Sequence, residues 1–289
     1  MSAPHVIAGL SDIAAQYDAI LCDVWGVIHN GRENFPEACR ALAEFQRNRG
    51  PVVLISNAPR PSRFVVSQLD QLGVPREAWS GFVTSGDATF AELVKRAPGP
   101  AWTVGPARDA GLYEGSGVDL TETPDQAAFI SCTGLFDDVT EAPEDYRERF
   151  ELCARRDLEM ICANPDRVVQ RGDTMIWCAG ALADLYQSMG GRVLMAGKPF
   201  APIYELSYAE VDRLAGREVD RSRVLAIGDG IQTDVAGANN QHLDLLFIAG
   251  GIHVAELAGE DGQMAADKVE AFLDLALAHA RWASPTLTW

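Results

Sequence analysis

The stretch Arg223-Val-Leu-Ala-Ile-Gly-Asp-Gly-Ile-Gln-Thr-Asp234 decides the fold. Its first half is short, apolar and β-branched, which predicts a buried strand. Its second half turns sharply on glycine and places two carboxylates, Asp229 and Asp234, directly after that strand. The same grammar recurs along the chain. Ala19-Ile-Leu-Cys-Asp23 is apolar and ends on a carboxylate, and Pro51-Val-Val-Leu-Ile-Ser56 ends on a hydroxyl. Gly81-Phe-Val-Thr-Ser85 and Leu245-Leu-Phe-Ile-Ala249 repeat the strand pattern. Between them lie helical patterns: Ala38, Ala41, Leu42 and Phe45 fall at helical spacing in 36–49, with Pro36 suited to a first turn and Gly50 to a stop. Ser62 to Leu72 is helical and closes on Gly73. Strands alternating with helices imply a parallel sheet covered on both faces.

The middle of the chain differs. Ala101-Trp-Thr-Val, Ala127-Ala-Phe-Ile-Ser and Leu158-Glu-Met-Ile-Cys are strand-like, separated by Gly/Pro/Asp-rich turns and a charged helix from Pro143 to Arg156. This predicts a second α/β unit inserted into the first. The expected division is 1–86 and 191–289 for the first unit and 87–190 for the insert.

Composition removes several classes of function. The 289 residues are 47% hydrophobic and 22% charged, which excludes a disordered or collagen-like chain. Twenty-four basic against 41 acidic residues leave a formal charge of −17, which repels polyphosphate backbones, so no nucleic-acid partner is expected. No apolar run approaches the ~20 residues a membrane span needs. The start, Met1-Ser-Ala-Pro-His5, lacks the pattern of a secretory signal. Six scattered cysteines without a CxxC pair suggest buried thiols of a reducing compartment. A cytoplasmic protein without a membrane partner is the expectation.

In an open parallel sheet, ligands collect at the carboxyl ends of the strands. The polar residues there are Asp23, Ser56-Asn57, Lys198 in Gly197-Lys198-Pro199, and Asp229 with Asp234. Three carboxylates meeting in one crevice are costly unless neutralised. A divalent cation with a bound phosphate resolves the conflict, and hard oxygen ligands in a six-coordinate site suit magnesium. Ser56 and the Lys198 ammonium would then hold phosphate oxygens. Each motif also has a plainer reading: Asp23 as a cap, Ser56-Asn57 as turn chemistry, Lys198 as a solvated lysine, Asp229 and Asp234 as a capped loop. Four motifs in this order favour the site.

That order, hhhhDxxGV, hhh(S/T)N, GKP and hhGDxxxTDhxGA, resembles the haloacid dehalogenase superfamily over nearly the whole chain. An insert between the second and third motifs resembles subclass IIA, which carries its cap domain there. The resemblance implies a Rossmann-like parallel-sheet core with an inserted α/β cap. It also implies a magnesium-dependent phosphatase working through an aspartyl-phosphate on a small phosphorylated metabolite. By the same resemblance Asp23 is the nucleophile and a metal ligand, and Ser56 binds the transferring phosphoryl group. Lys198 neutralises the charge between Asp23 and that group. Asp229 binds the metal, Asp234 holds metal-bound water or orients Lys198, and the backbone carbonyl of Trp25 faces the metal. The oligomeric state stays open in the sequence; subclass relatives often dimerise, which makes a homodimer the candidate assembly by analogy alone.

One position departs from the pattern. Family phosphatases carry a second aspartate two residues after the nucleophile, as general acid and base; here that residue is Trp25. Such help is typically worth ~10²–10⁴-fold in rate, or roughly 3–5 kcal/mol of barrier. Three consequences stand open: substrates with acidic leaving groups, another group such as His29 or a cap residue acting instead, or a weak or inactive member that binds a phosphorylated ligand or a protein partner. His29-Asn30-Gly31 reads first as a turn but resembles a hairpin beside the active site. Arg60, in Pro59-Arg60-Pro61, either contacts substrate or faces solvent. Asn164-Pro-Asp166 resembles a cap-to-core segment close to substrate and equally reads as an Asn-Pro turn.

Overall fold

The computed structural model describes residues 3–171, 174–259 and 262–289. The chain divides into two compact units: 1–56 with 66–83 and 198–289, and 57–65 with 84–197.

The first unit is built on a seven-stranded sheet. Its strands are β1 (His5–Val6), β2 (Ala19–Asp23), β3 (Val52–Ser56), β4 (Gly81–Thr84), β12 (Val224–Gly228), β13 (Asp244–Ile248) and β14 (Trp282–Ser284). Their order across the sheet is β1-β14-β13-β12-β2-β3-β4. Pairings β1–β14, β14–β13, β13–β12, β12–β2 and β2–β3 are all parallel. The central strands are apolar because both faces are covered: Ile20, Leu21, Cys22, Val52, Val53, Leu54, Leu225, Ile227, Leu246 and Phe247 are all buried. Helix α1 (Pro36–Asn48) starts with proline in its first turn and buries Ala38, Cys39, Ala41, Leu42 and Phe45, the stripe the spacing predicts. Helix α2 (Ser62–Gln71) is divided between the units. Helix α6 (Ala201–Ala215) follows Lys198 and ends on left-handed Gly216.

The second unit has a five-stranded sheet of β5 (Ala101–Val104), β6 (Leu120–Thr121), β7 (Phe129–Cys132), β8 (Glu159–Cys162) and β11 (Arg192–Met195). The order β11-β8-β7-β5-β6 is wholly parallel. Helices α3 (Ser85–Arg96), α4 (Arg147–Arg155) and α5 (Ala179–Ser188) belong to it, with a separate hairpin of β9 (Val168–Arg171) and β10 (Thr174–Trp177). Its core stacks aromatic edges and faces: Trp102 on Phe150, and Phe150 between Tyr146 and Tyr186.

The unit boundaries correct the sequence expectation. Residues 191–197, assigned above to the first unit, carry β11, which pairs in parallel with β8 and so belongs to the second. Residues 57–65 and 84–86 also fall there. Ser85, read as the end of a strand, opens α3 instead, because Thr84 caps it: the Thr84 hydroxyl accepts from Asp87 N–H and the Asp87 carboxylate accepts from Thr84 N–H. The helix read over 143–156 begins as a tight turn at Pro143–Tyr146 before α4. Among the described residues no helix is long and apolar enough to cross a membrane, and all six cysteines are buried and outside any disulfide.

Candidate active site

Three carboxylates meet at the carboxyl edge of the first unit's sheet. Asp23 is the last residue of β2, and Asp229 follows β12, the strand beside it. Asp234 sits on a wide π-type turn over Ile231–Val235, whose Asp234 and Val235 N–H groups both reach back to Gly230 C=O. One oxygen from each of Asp23, Asp229 and Asp234 lies within 4.8 Å of the others, and all three residues are buried.

Glycines make this convergence sterically feasible. A Cβ on Gly26, which holds a left-handed φ of +84°, would come within 2.1 Å of Asp229 Oδ2. One on Gly251 would come within 1.9 Å of the same oxygen, and one on Gly228 within 2.3 Å of Asp234 Cγ. The Gly250-Gly251-Ile252 loop therefore closes onto Asp229, and Ile252 N–H donates to its Oδ2 at 2.7 Å. The strand-end motifs do not point to this loop; its signal in the sequence is the pair of glycines that follows a strand.

Lys198 crosses the cluster. Its ammonium, 3% exposed, donates to Asp23 Oδ1 at 2.5 Å and to Asp234 Oδ1 at 2.7 Å. Asp234 Oδ2 also accepts from Gly230 N–H at 3.0 Å. Burial alone would lower the lysine's proton affinity, but the Asp23 and Asp234 carboxylates outweigh it and hold the ammonium well above its ordinary value. Asp23 is pushed well up, first by burial and then by Asp234. Asp229 is pushed up to about 7 by burial and by Asp234. With all three carboxylates ionised against one ammonium, two surplus negative charges would sit in a buried place, and the upward shifts of Asp23 and Asp229 reflect that cost. A divalent cation that prefers hard oxygen ligands fits this donor set.

The other predicted residues take distinct places. Ser56 ends β3; Asp23 pairs with Ile55 in the β2–β3 register, so Ser56 lies one residue beyond the nucleophile candidate's neighbour. Trp25 is half exposed, and its ring lies over Gly31, where a Cβ would meet its Cη2 at 2.2 Å. It stands edge-on to His29, ring centroids 5.5 Å apart. His29 is buried, and its Nδ1 accepts Gly31 N–H at 3.0 Å, so it anchors the turn at 29–34. Burial lowers its proton affinity.

Asn57 and Arg60 belong to the second unit. Asn57 Nδ2 donates to Asp166 Oδ1 at 3.0 Å, and Asn164 Oδ1 accepts Asp166 N–H at 3.0 Å, so Asn164-Pro-Asp166 is the Asn-Pro turn and is also tied to Asn57. Arg60 C=O accepts the Thr84 hydroxyl at 2.9 Å. Gly197 sits against this group: a Cβ there would approach Asn57 Oδ1 to 2.5 Å and Ser85 Oγ to 2.7 Å.

Comparison with known proteins gives the family. A family profile for haloacid dehalogenase-like hydrolases matches residues 20–119, and a second, HAD-hydrolase-like profile matches residues 195–275. A crystal structure of a haloacid dehalogenase-like hydrolase from Brucella suis 1330 is 42% identical, covers 98% of this chain and 100% of its own, and superposes with a TM-score of 0.84. The chain belongs to the haloacid dehalogenase-like hydrolase family. Placement of the second unit between Ser56 and Lys198 is the arrangement of subclass IIA. More distant relatives include an acid sugar phosphatase of Staphylococcus saprophyticus, 24% identical over 83% of this chain and 89% of that protein. A glycerol phosphate phosphatase from Mycobacterium tuberculosis, solved in complex with magnesium, shares the fold at 22% identity with a TM-score of 0.66, covering 89% of this chain and 78% of its own.

Proposed function

We propose that the chain is a magnesium-dependent phosphohydrolase that acts on a small phosphorylated metabolite through a phosphoryl group carried on Asp23. The observation that carries this reading is the buried Lys198 ammonium clamped between Asp23 and Asp234, with Asp229 in the same carboxylate cluster. A fold has no structural need to bury three carboxylates around one lysine, since such groups are costly without a ligand to balance them. The phosphatase relatives named above, one of them holding magnesium, support the same reading.

In this reading Asp23 presents a carboxylate oxygen to the phosphorus, and Lys198 orients the carboxylate and favours its ionised form against burial and Asp234. Ser56 donates its hydroxyl to a phosphoryl oxygen at the end of β3. Asp23, Asp229, Asp234 and the Trp25 carbonyl are the metal-facing groups; Mg2+, when bound, supplies positive charge that offsets the charge of the phosphoryl group. Ile252 N–H fixes one Asp229 oxygen and leaves the other for the cation. We assign substrate contacts to Asn57, Arg60 and His29 as part of the same proposal.

The test is steady-state hydrolysis of p-nitrophenyl phosphate and acetyl phosphate with and without magnesium, in the wild type and in Asp23→Asn. Metal-dependent turnover that disappears in Asp23→Asn is the expected result. A wild type that binds phosphate and magnesium but releases no product would make the protein a binding member of the family, the alternative that Trp25 keeps open.

A further inference from the structure

Around Asp23, the first unit leaves no described side chain free to move a proton to or from substrate. Lys198 is spent on two carboxylates. The Tyr204 hydroxyl is buried against Gly237, where a Cβ would touch it at 2.0 Å. His29 is 3% exposed and its Nδ1 holds the Gly31 N–H. Trp25 is pinned over Gly31, and an indole N–H neither protonates an alkoxide nor deprotonates water. The other oxygens of the described cluster are its three carboxylates, which a bound cation would hold ionised, and the hydroxyls of Ser56, at the end of β3, and Thr233, beside Asp234, which are too weakly acidic and basic to carry that proton.

Resting on the reading of Asp23 as phosphoryl acceptor, we propose that this site is specific for activated phosphates: acyl phosphates and phosphates of acidic phenols or enols, whose leaving groups depart as stable anions. In the first step an Asp23 oxygen bonds to phosphorus while the bond from phosphorus to the leaving oxygen breaks. The electron pair departs with that oxygen as a carboxylate, phenolate or enolate, and no protein proton is needed. In the second step a water oxygen bonds to phosphorus, the bond to Asp23 breaks, and the carboxylate is restored. The protons of that water stay with the product phosphate and the solvent. Without a base for the water, the second step is the slower one for activated substrates, so the phosphoryl-enzyme accumulates.

The experiment uses the full chain with magnesium and a set of aryl phosphates graded by phenol acidity, with acetyl phosphate at one end and glycerol phosphate at the other. For the wild type, kcat/KM is expected to fall by at least about 10²-fold from acetyl phosphate to glycerol phosphate. Rapid mixing with p-nitrophenyl phosphate should give a burst of nitrophenol close to one per enzyme, with a phosphoryl group found on Asp23 by mass spectrometry. Trp25→Asp should raise glycerol phosphate turnover by about 10²-fold and change acetyl phosphate turnover far less. Trp25→Asn, which opens the same space without adding an acid, should keep the wild-type slope. A flat leaving-group dependence in the wild type overturns the proposal, because a proton donor then reaches the site from outside the first unit. If Trp25→Asp does not fold, the wild-type slope and burst decide alone. Absence of turnover on every phosphate, acetyl phosphate included, overturns the phosphohydrolase reading as well; turnover with a flat slope overturns only this one.

Discussion

Strand β2 has an aspartate at either end, and the two live in opposite electrostatic worlds. Asp18, just before the strand, accepts from Arg223 at 2.7 and 2.8 Å and from Arg217 at 3.1 Å, with Arg49 at 3.5 Å. The Arg223 hydrogen bonds lead in holding its carboxyl at about 2. Asp23, five residues on, has one cation, shares it with Asp234, and is pushed upward by burial. At the amino end the chain supplies more positive than negative charge and closes the account internally. At the carboxyl end it leaves negative charge uncompensated, at the edge where parallel sheets present their ligands. A carboxylate that the chain itself neutralises stabilises the fold; one that the chain leaves in surplus waits for a ligand.

The sharpest way to break this contrast is to neutralise each aspartate in turn. Asp23→Asn should lower turnover by at least about 10³-fold, since a carboxamide is no nucleophile. Far-ultraviolet circular dichroism should remain native. An Asp23→Asn enzyme retaining a tenth of wild-type kcat would place the nucleophile elsewhere.

Removing the shared cation comes next. Lys198→Met leaves three buried carboxylates with no internal counter-charge, and breaking a buried pair in this way costs about 3–5 kcal/mol. Urea denaturation of the metal-free variant should show that loss, with much of it recovered on adding magnesium.

The third prediction follows from proton linkage. In the metal-free protein burial and Asp234 push Asp229 up to about 7 from its ordinary 3.8, and Asp23 moves the same way. Between those values the folded state binds more protons than the unfolded one, so stability falls as pH rises from about 4 to about 7. Magnesium competes with those protons, so its stabilising effect should grow over the same range. At saturation near a hundred times its Kd the gain is about 2.7 kcal/mol, an increase of about 5–10 °C in melting temperature for a chain of this size. Scans at pH 5 and pH 7.5, with and without magnesium, measure it; equal shifts at both pH values would remove the cluster from metal binding.

A smaller effect belongs to the loop that presses on Asp229. Gly251→Ala puts a methyl group where Asp229 Oδ2 lies. The carboxylate must turn, and magnesium affinity by calorimetry should drop about tenfold, or 1.4 kcal/mol.

Much of this was legible in the sequence because the chemistry stands at strand ends. Asp23, Ser56, Lys198 and Asp229 each follow a short apolar run or sit in a glycine turn, and the strands they close appear close to their predicted bounds. Less legible was anything set by contacts distant in sequence. The expected boundary places residues 191–197 with the first unit, yet β11 pairs with β8 and so joins the second unit. β1 and β14, two and three residues long, are too short for periodicity and exist because each completes an edge of the sheet. His29 reads first as a turn residue, and in the structure its Nδ1 holds the Gly31 N–H; nothing local in the sequence decides whether it also meets substrate.

The smallest effect sharpens the comparison from the other end of β2. Asp18→Asn removes a carboxylate that is partly exposed, so solvent screening discounts the ion pairs, and the expected cost is about 1 kcal/mol. Its sign with pH is opposite to that of the buried cluster. The folded-state value lies near 2 against an ordinary 3.8, so the contribution is present above about 4 and disappears as pH falls toward 2. Asp18→Asn should therefore narrow the difference in stability from the wild type on acidification and leave magnesium affinity and kcat unchanged. Should the variant instead weaken magnesium binding, the two ends of β2 would be electrostatically coupled along the strand, and the separation between a structural and a functional aspartate would fail.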